Sequence, residues 1–189
     1  MLISHGPLAA SYYFLGRYRI YRGGLDGEKR VVNHLDLTLS DDYYLINDLS
    51  FHNGGGDIDH IALGPNGVFA IETKNWSGTI TCNGGCWKRQ RGRHITGSPS
   101  KQARNNATKV KRIINSSQTL NPLNTWVEPI FVFTNYHAKL NLKNPTIPVL
   151  KLQQLPDYII GKRNMVDYSS ERVQKIGKEF LKQVDQKSN

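Results

Sequence analysis

The sequence predicts an α/β fold, a central mixed β-sheet flanked by helices. Three observations carry that expectation. Apolar residues recur at helical spacing near residues 25–35, 103–114 and 169–184. Strand-like runs lie between them, and Gly-Pro-Asn-Gly and Asn-Gly-Gly breakers separate those runs. The resulting order (helix, strands, helix, strand, strand, helices) suits one mixed sheet in a single domain over residues 24–189.

Residues 1–23 read as an irregular lead-in, aromatic but interrupted by Gly, Pro and Arg, and a poor match to a signal peptide. From Gly24 to Thr38, Leu25, Val31, Val32 and Leu35 keep a helical rhythm, with Asp26 suited to the N-cap. Tyr43–Leu49 suits a first strand, and a Gly-rich turn at 54–56 follows. Ile58–Leu63 and Val68–Lys74 are the next two strands, joined by Gly64-Pro65-Asn66-Gly67. Gly78–Cys82 and Trp87–Arg91 read as a hairpin around Asn83-Gly84-Gly85. Ser98-Pro99-Ser100 opens a helix to Ser117 whose buried stripe is Ala103, Ala107, Val110 and Ile114. Trp126–Thr134 is a strand that Pro129 places near a sheet edge or bulge. Thr146–Leu150 is a short strand, and helices near 153–160 and 169–184 close the chain.

The strands over 58–74 carry charges where a core needs none. Side chains alternate between faces, so Glu72 and Lys74 share a side with Val68 and Ala70, and a hairpin through 64–67 brings Asp59 beside Glu72. Desolvating two carboxylates and an ammonium together costs several kcal/mol. A divalent cation bound by oxygen ligands, Mg²⁺ or Mn²⁺, resolves that conflict. Asp59 and Glu72 would hold it, with the backbone carbonyl of Thr73, and Lys74 would orient a water or neutralise phosphate charge. Glu28 falls on the apolar stripe of the first helix, either reaching the same cation or capping the first turn against the helix dipole. The plain alternative for the strands is a salt-bridged Glu72–Lys74 or Asp59–Lys74 pair in a binding module.

The net charge of +10 has one source. Between Glu72 and Glu128 there is no acidic residue, while ten Lys and Arg fall there, and the rest of the chain is balanced. A contiguous basic interval is either a solvated face or an electrostatic footprint for a polyanion. Its contact candidates are Lys88, Arg89, Arg91 and Arg93 in the loop-like segment WKRQRGRH, and Lys101, Arg104 and Lys109 on the following helix. No base-reading motif is visible.

Gly27-Glu28 on a helix, then DIDHI, GVFAIETKN-x-x-G-x-I, a Trp and an S-P-x-x-Q helix start together resemble the NERD (nuclease-related) domain, a branch of the PD-(D/E)xK phosphodiesterase superfamily. The resemblance covers about Gly24 to Phe133. It implies a mixed four- or five-stranded sheet with flanking helices, a restriction-endonuclease-like core, and metal-dependent DNA cleavage. Position by position, it implies Glu28 as the helix-borne acid, Asp59 as the metal-binding aspartate, and Glu72 and Lys74 as the E-x-K pair. Gln102 corresponds to a site-facing glutamine at the start of the next helix. The family's usual Asn-Pro before it is Ser98-Pro99 here.

The functional expectation is a metal-dependent deoxyribonuclease, with a non-catalytic DNA- or RNA-binding module as the alternative. RNA as substrate stays open, as does a partner supplying specificity or helicase activity. His60, on the opposite face from Asp59, is expected to be a packed, hydrogen-bonded core histidine. Cys82 and Cys86 are too few for a zinc site; they are expected as a reduced pair facing each other across the hairpin, an oxidised clip being the alternative. Trp76 and Trp87 are expected to pack that hairpin on the sheet. No window reaches the ~18 apolar residues of a membrane span, and two cysteines without an export signal fit a reducing cytoplasm.

Overall fold

The computed structural model of the chain describes residues 26–49, 57–89, 93–95, 97–116, 125–163 and 168–185. The lead-in over 1–23, Leu25, the Gly-rich turn at 54–56, Arg91 and Ser117 lie outside those residues. Helix α1 (Asp26–Thr38) turns Val31, Val32 and Leu35 inward at the predicted spacing. Strands β1 (Tyr44–Leu49), β2 (Ile58–Gly64) and β3 (Gly67–Lys74) form an antiparallel meander. The β2–β3 turn is tied down by its own sequence. Tyr43 Oη donates to Asn66 Oδ1 at 2.5 Å, and Asn66 Nδ2 donates to the carbonyls of Ile160 and Lys162 at 2.6 and 3.0 Å. Gly64 is needed there because a Cβ would sit 2.2 Å from the Tyr43 ring.

Next come β4 (Gly78–Asn83), β5 (Cys86–Arg89) and β6 (Arg93–His94), then the long helix α2 (Pro99–Ser116). Strands β7 (Val127–Phe133), β8 (Ala138–Lys143) and β9 (Val149–Lys151) follow, then a 3-10 turn over Leu152–Gln154 and helices α3 (Leu155–Gly161) and α4 (Ser170–Asp185).

Two sheets result. The central one is mixed, in the order β1-β2-β3-β7-β9, with β7 parallel to β3 and to β9. One face packs residues of α1 and α3, and the other packs α2 and α4. This is the predicted α/β architecture, consistent with a restriction-endonuclease-like fold. The second sheet, β6-β5-β4-β8, was not expected as a separate layer. It grows from the first: β3 and β7 leave the central sheet together and pair again, still parallel, as β4 and β8. The join runs through residues 75–77 and 134–137, where Thr134 N donates to Lys74 O and Gly78 N donates to His137 O. Trp87 fills the corner between the sheets, 5.3 Å from the Phe131 ring and 6.2 Å from that of Phe133, and Trp76 lies 6.4 and 6.1 Å from the same two rings. The two tryptophans pack the hairpin as expected.

Several boundaries are corrected. The strand expected at Thr146–Leu150 is Val149–Lys151; Thr146 instead accepts a hydrogen bond from Arg104. The second arm of the expected hairpin, Trp87–Arg91, is the strand Cys86–Arg89 among the described residues, and Trp87 is buried. Pro129 lies in a strand between β3 and β9, on a stretch that β9 does not reach, so the edge expected there is a local one. Phe131 N donates to Pro148 O on the β9 side, and strand periodicity aims the missing Pro129 donor to that same side. There β9 pairs only with residues 131–133, so no ladder bond is lost.

Candidate active site

The site forms where β3 ends and helices approach from both faces of the sheet. Antiparallel register pairs His60 with Ile71, which sets Asp59 opposite Glu72 on the face turned to α2. Glu72 is completely buried. Its Oε1 accepts from Lys74 Nζ at 2.5 Å and its Oε2 from Asn106 Nδ2 at 2.9 Å. Asp59 Oδ2 accepts from the Thr73 backbone N–H at 2.7 Å. Because N–H and C=O of one strand residue leave on the same side, the Thr73 carbonyl also points toward the Asp59 strand.

The electrostatics match a crowd of acids. Burial, and then the Asp59 charge, push the Glu72 carboxyl up to about 7. Asp59 is raised by burial, against the opposing pull of the Thr73 hydrogen bond and Lys74. Glu28, half-buried on the first turn of α1, is raised by burial and then by Asp59 and Asp48. The expected acids Glu28, Asp59 and Glu72 therefore feel one another, and Lys74 acts on all three. Glu28 reaches them because α1 docks at the break after β3. A Cβ on Gly27 would lie 2.8 Å from Thr134 Oγ1 and 3.0 Å from Asn75 Cβ, so only glycine permits that approach. Arg30 Nη1 adds a 3.4 Å bond to the Thr134 carbonyl.

Three contributors were missed by sequence reasoning. Asn106 sits on the apolar stripe of α2 beside Ala103, Ala107 and Val110, the same signal that marked Glu28. Asp48, with a left-handed φ of 54°, hydrogen-bonds Glu28, and nothing in its sequence context announces that. Asp57 adds its charge to Asp59 and lines the recess described next.

A recess of about 360 Å³ opens beside Lys74. Helix α2 lines it with Lys101, Gln102, Asn105, Asn106 and Lys109, and Trp76 and Ile95 form an apolar wall. Gln102 is one of the residues that line this recess. Of the other expected cations, Lys88 is exposed on β5, and Arg89 covers the Trp76 ring at 5.7 Å. Arg104 points to Thr146 instead of the recess. Arg93 lies in β6.

His60 is buried, its Nδ1 2.8 Å from Asn47 Oδ1, and burial pushes it down to about 3, so it is the neutral core histidine expected. Cys82 and Cys86 are both free thiols, as expected, but they do not face each other. Cys82 pairs with Trp87 in the register and points inward, whereas Cys86 is exposed opposite Asn83.

Among the described residues no three His, Cys, Asp or Glu side chains form a ready-made metal cage. The donor chemistry nevertheless fits a hard divalent cation. Carboxylates that raise one another's protonation in a buried setting are the arrangement such a charge relieves. Among the described residues no helix is long and apolar enough to cross a membrane.

A match to the nuclease-related domain spans residues 23–134, more than half of the chain. The chain is also similar to an uncharacterized protein of Bacillus anthracis, 38% identical over 60 residues, which is 30% of this chain and 28% of that protein. The similarity thus spans just over a quarter of that relative's length. No solved structure matches the chain.

Proposed function

The chain belongs to the nuclease-related domain family, and from that membership we propose that it is a metal-dependent nuclease that hydrolyses phosphodiester bonds in DNA. The observation that carries the reading is Glu72: a fully buried carboxylate set among Asp59, Glu28 and Lys74 and hydrogen-bonded to Lys74 and Asn106, both of which line a cation-rich recess. Asp59, Glu72, Glu28 and the Thr73 carbonyl would hold Mg²⁺ or Mn²⁺, which supplies Lewis-acid charge and an activated water when bound. Lys74, steered by Glu72 at 2.5 Å, presents a fixed ammonium to the negative charge that develops on a phosphoryl oxygen. Gln102 and Lys101 line the recess beside it and would orient the scissile phosphate. Lys88 and the basic face of α2 would take up neighbouring phosphates without reading sequence.

The test is cleavage of plasmid and linear DNA with Mg²⁺, Mn²⁺ or EDTA, beside Glu72→Ala and Lys74→Ala. Metal-dependent cutting by the wild type and a loss of about 10²-fold or more in each variant is the expected result. A wild type that never outcuts both variants overturns it. A second reading, a DNA- or RNA-binding module that keeps the fold, is favoured by one fact: Lys74 and Asn106 already satisfy both Glu72 oxygens. It predicts salt-sensitive binding that survives loss of Glu72.

A further inference from the structure

Building on the reading of this site as one for phosphodiesters, we infer that the recess beside Lys74 seats one unpaired nucleotide, so that single-stranded DNA, or a frayed end, is the preferred substrate over intact duplex. Three features of the recess point there. The first is size. A volume of about 360 Å³ falls within the range of roughly 300–1,000 Å³ typical of sites that enclose a small ligand. A duplex laid across a protein needs a broad surface, not a recess.

The second is the chemistry of the α2 wall. Lys101, Asn105 and Lys109 recur every four residues, and Gln102 and Asn106 do the same one position along, so a single helix face presents cations and amides together. Cations alone serve for phosphates. Amides supply paired donors and acceptors, which are useful against the hydrogen-bonding edge of a base, and that edge is free only when the base is unpaired. Asn106 is committed to Glu72 and Gln102 is assigned to the scissile phosphate, which leaves Asn105 for this role.

The third is the opposite wall. Trp76 and Ile95 offer apolar surface that a phosphate does not require and a base does. Trp76 is a fixed wall: Phe131 and Phe133 pack on its ring, and the Arg89 guanidinium lies over it at 5.7 Å. Lys74 joins the recess to the carboxylates, so a nucleotide seated there has its phosphate at the reacting end.

The experiment is fluorescence anisotropy of the full chain in EDTA, with one short end-labelled DNA oligonucleotide presented as a single strand or as a blunt duplex. The single strand is expected to bind about tenfold or more tightly. Asn105→Ala, at an exposed helix position, is expected to weaken single-strand binding about fivefold and leave duplex binding unchanged, whereas Lys101→Ala weakens both. Duplex binding as tight as single-strand binding overturns the inference, and so does an Asn105→Ala variant that loses both equally or neither. Because no metal is present, the two proposals fail separately. A single-strand preference without metal-dependent cutting removes the nuclease reading alone. Cutting by a chain that favours duplex removes this one alone.

Discussion

Asn106 holds a carboxylate that has no access to water. Glu72 is fully buried, so each oxygen needs a donor, and α2 supplies one of the two. Asn106→Ala is therefore expected to lower unfolding free energy by about 1–3 kcal/mol in urea denaturation. Glu128 sets a second expectation. Burial alone would raise its carboxyl, but hydrogen bonds from Trp126, Lys162 and Tyr158 outweigh that and hold it below the usual carboxylate range. A folded-state value depressed below the unfolded one gives stability that is present above the ordinary glutamate value and lost as pH falls through the folded value. Acid titration of urea midpoints should show that loss in the wild type and a flatter profile, from a lower starting point, in Glu128→Gln. At this scale Glu28, Asp59, Glu72 and Lys74 were legible because a charge stood where a periodic pattern called for an apolar or neutral residue, whereas Gln102 came from the family resemblance alone. Asn106 broke its stripe in the same way and was readable by the same rule. Asp48 was not, since its role follows from a left-handed backbone and a neighbour twenty residues back in α1.

Two glycines decide how elements approach. A Cβ at Gly64 would meet the Tyr43 ring at 2.2 Å, so Gly64→Ala should cost about 1–3 kcal/mol, read as a fall in thermal midpoint with the fold retained. Gly27→Ala acts elsewhere. It pushes the first turn of α1 off Thr134 and Asn75, and with it Glu28, so cleavage should fall more than stability does. A variant that loses stability without a larger loss of cutting would separate Glu28 from the reaction. The elements themselves were mostly legible, because α1, β1–β5 and α2 carry clear periods and turn residues. Strand β8 was not. Its sequence AKLNLK is largely exposed, and only pairing with β4 makes it a strand. The division into two sheets was illegible for a related reason. The pattern of residues 67–83 reads as successive strands, and the break at 75–77 appears only because two paired strands turn together.

Over the whole molecule, the acid-free interval from 73 to 127 gathers β4, β5, β6 and α2 around one end of β3. DNA binding should therefore weaken steeply with salt, each phosphate contact contributing about 0.9 to the slope of log K against log salt for duplex. Removing Lys88 or Lys101 should reduce that slope by about 1, measured by anisotropy over a salt series. A slope unchanged by both would make the basic interval a solvated face.

The paired break at residues 75–77 and 134–137 has a mechanical meaning. There two parallel strands cross from one sheet to the other, and the break's own bonds include Lys74 O and Thr134 N, with Gly27 of α1 seated against it. The smaller sheet is therefore mounted on the central one directly beside the candidate site. On the proposed reading, a load taken up at Lys88 would be passed to the same joint that carries Lys74 and the α1 turn of Glu28.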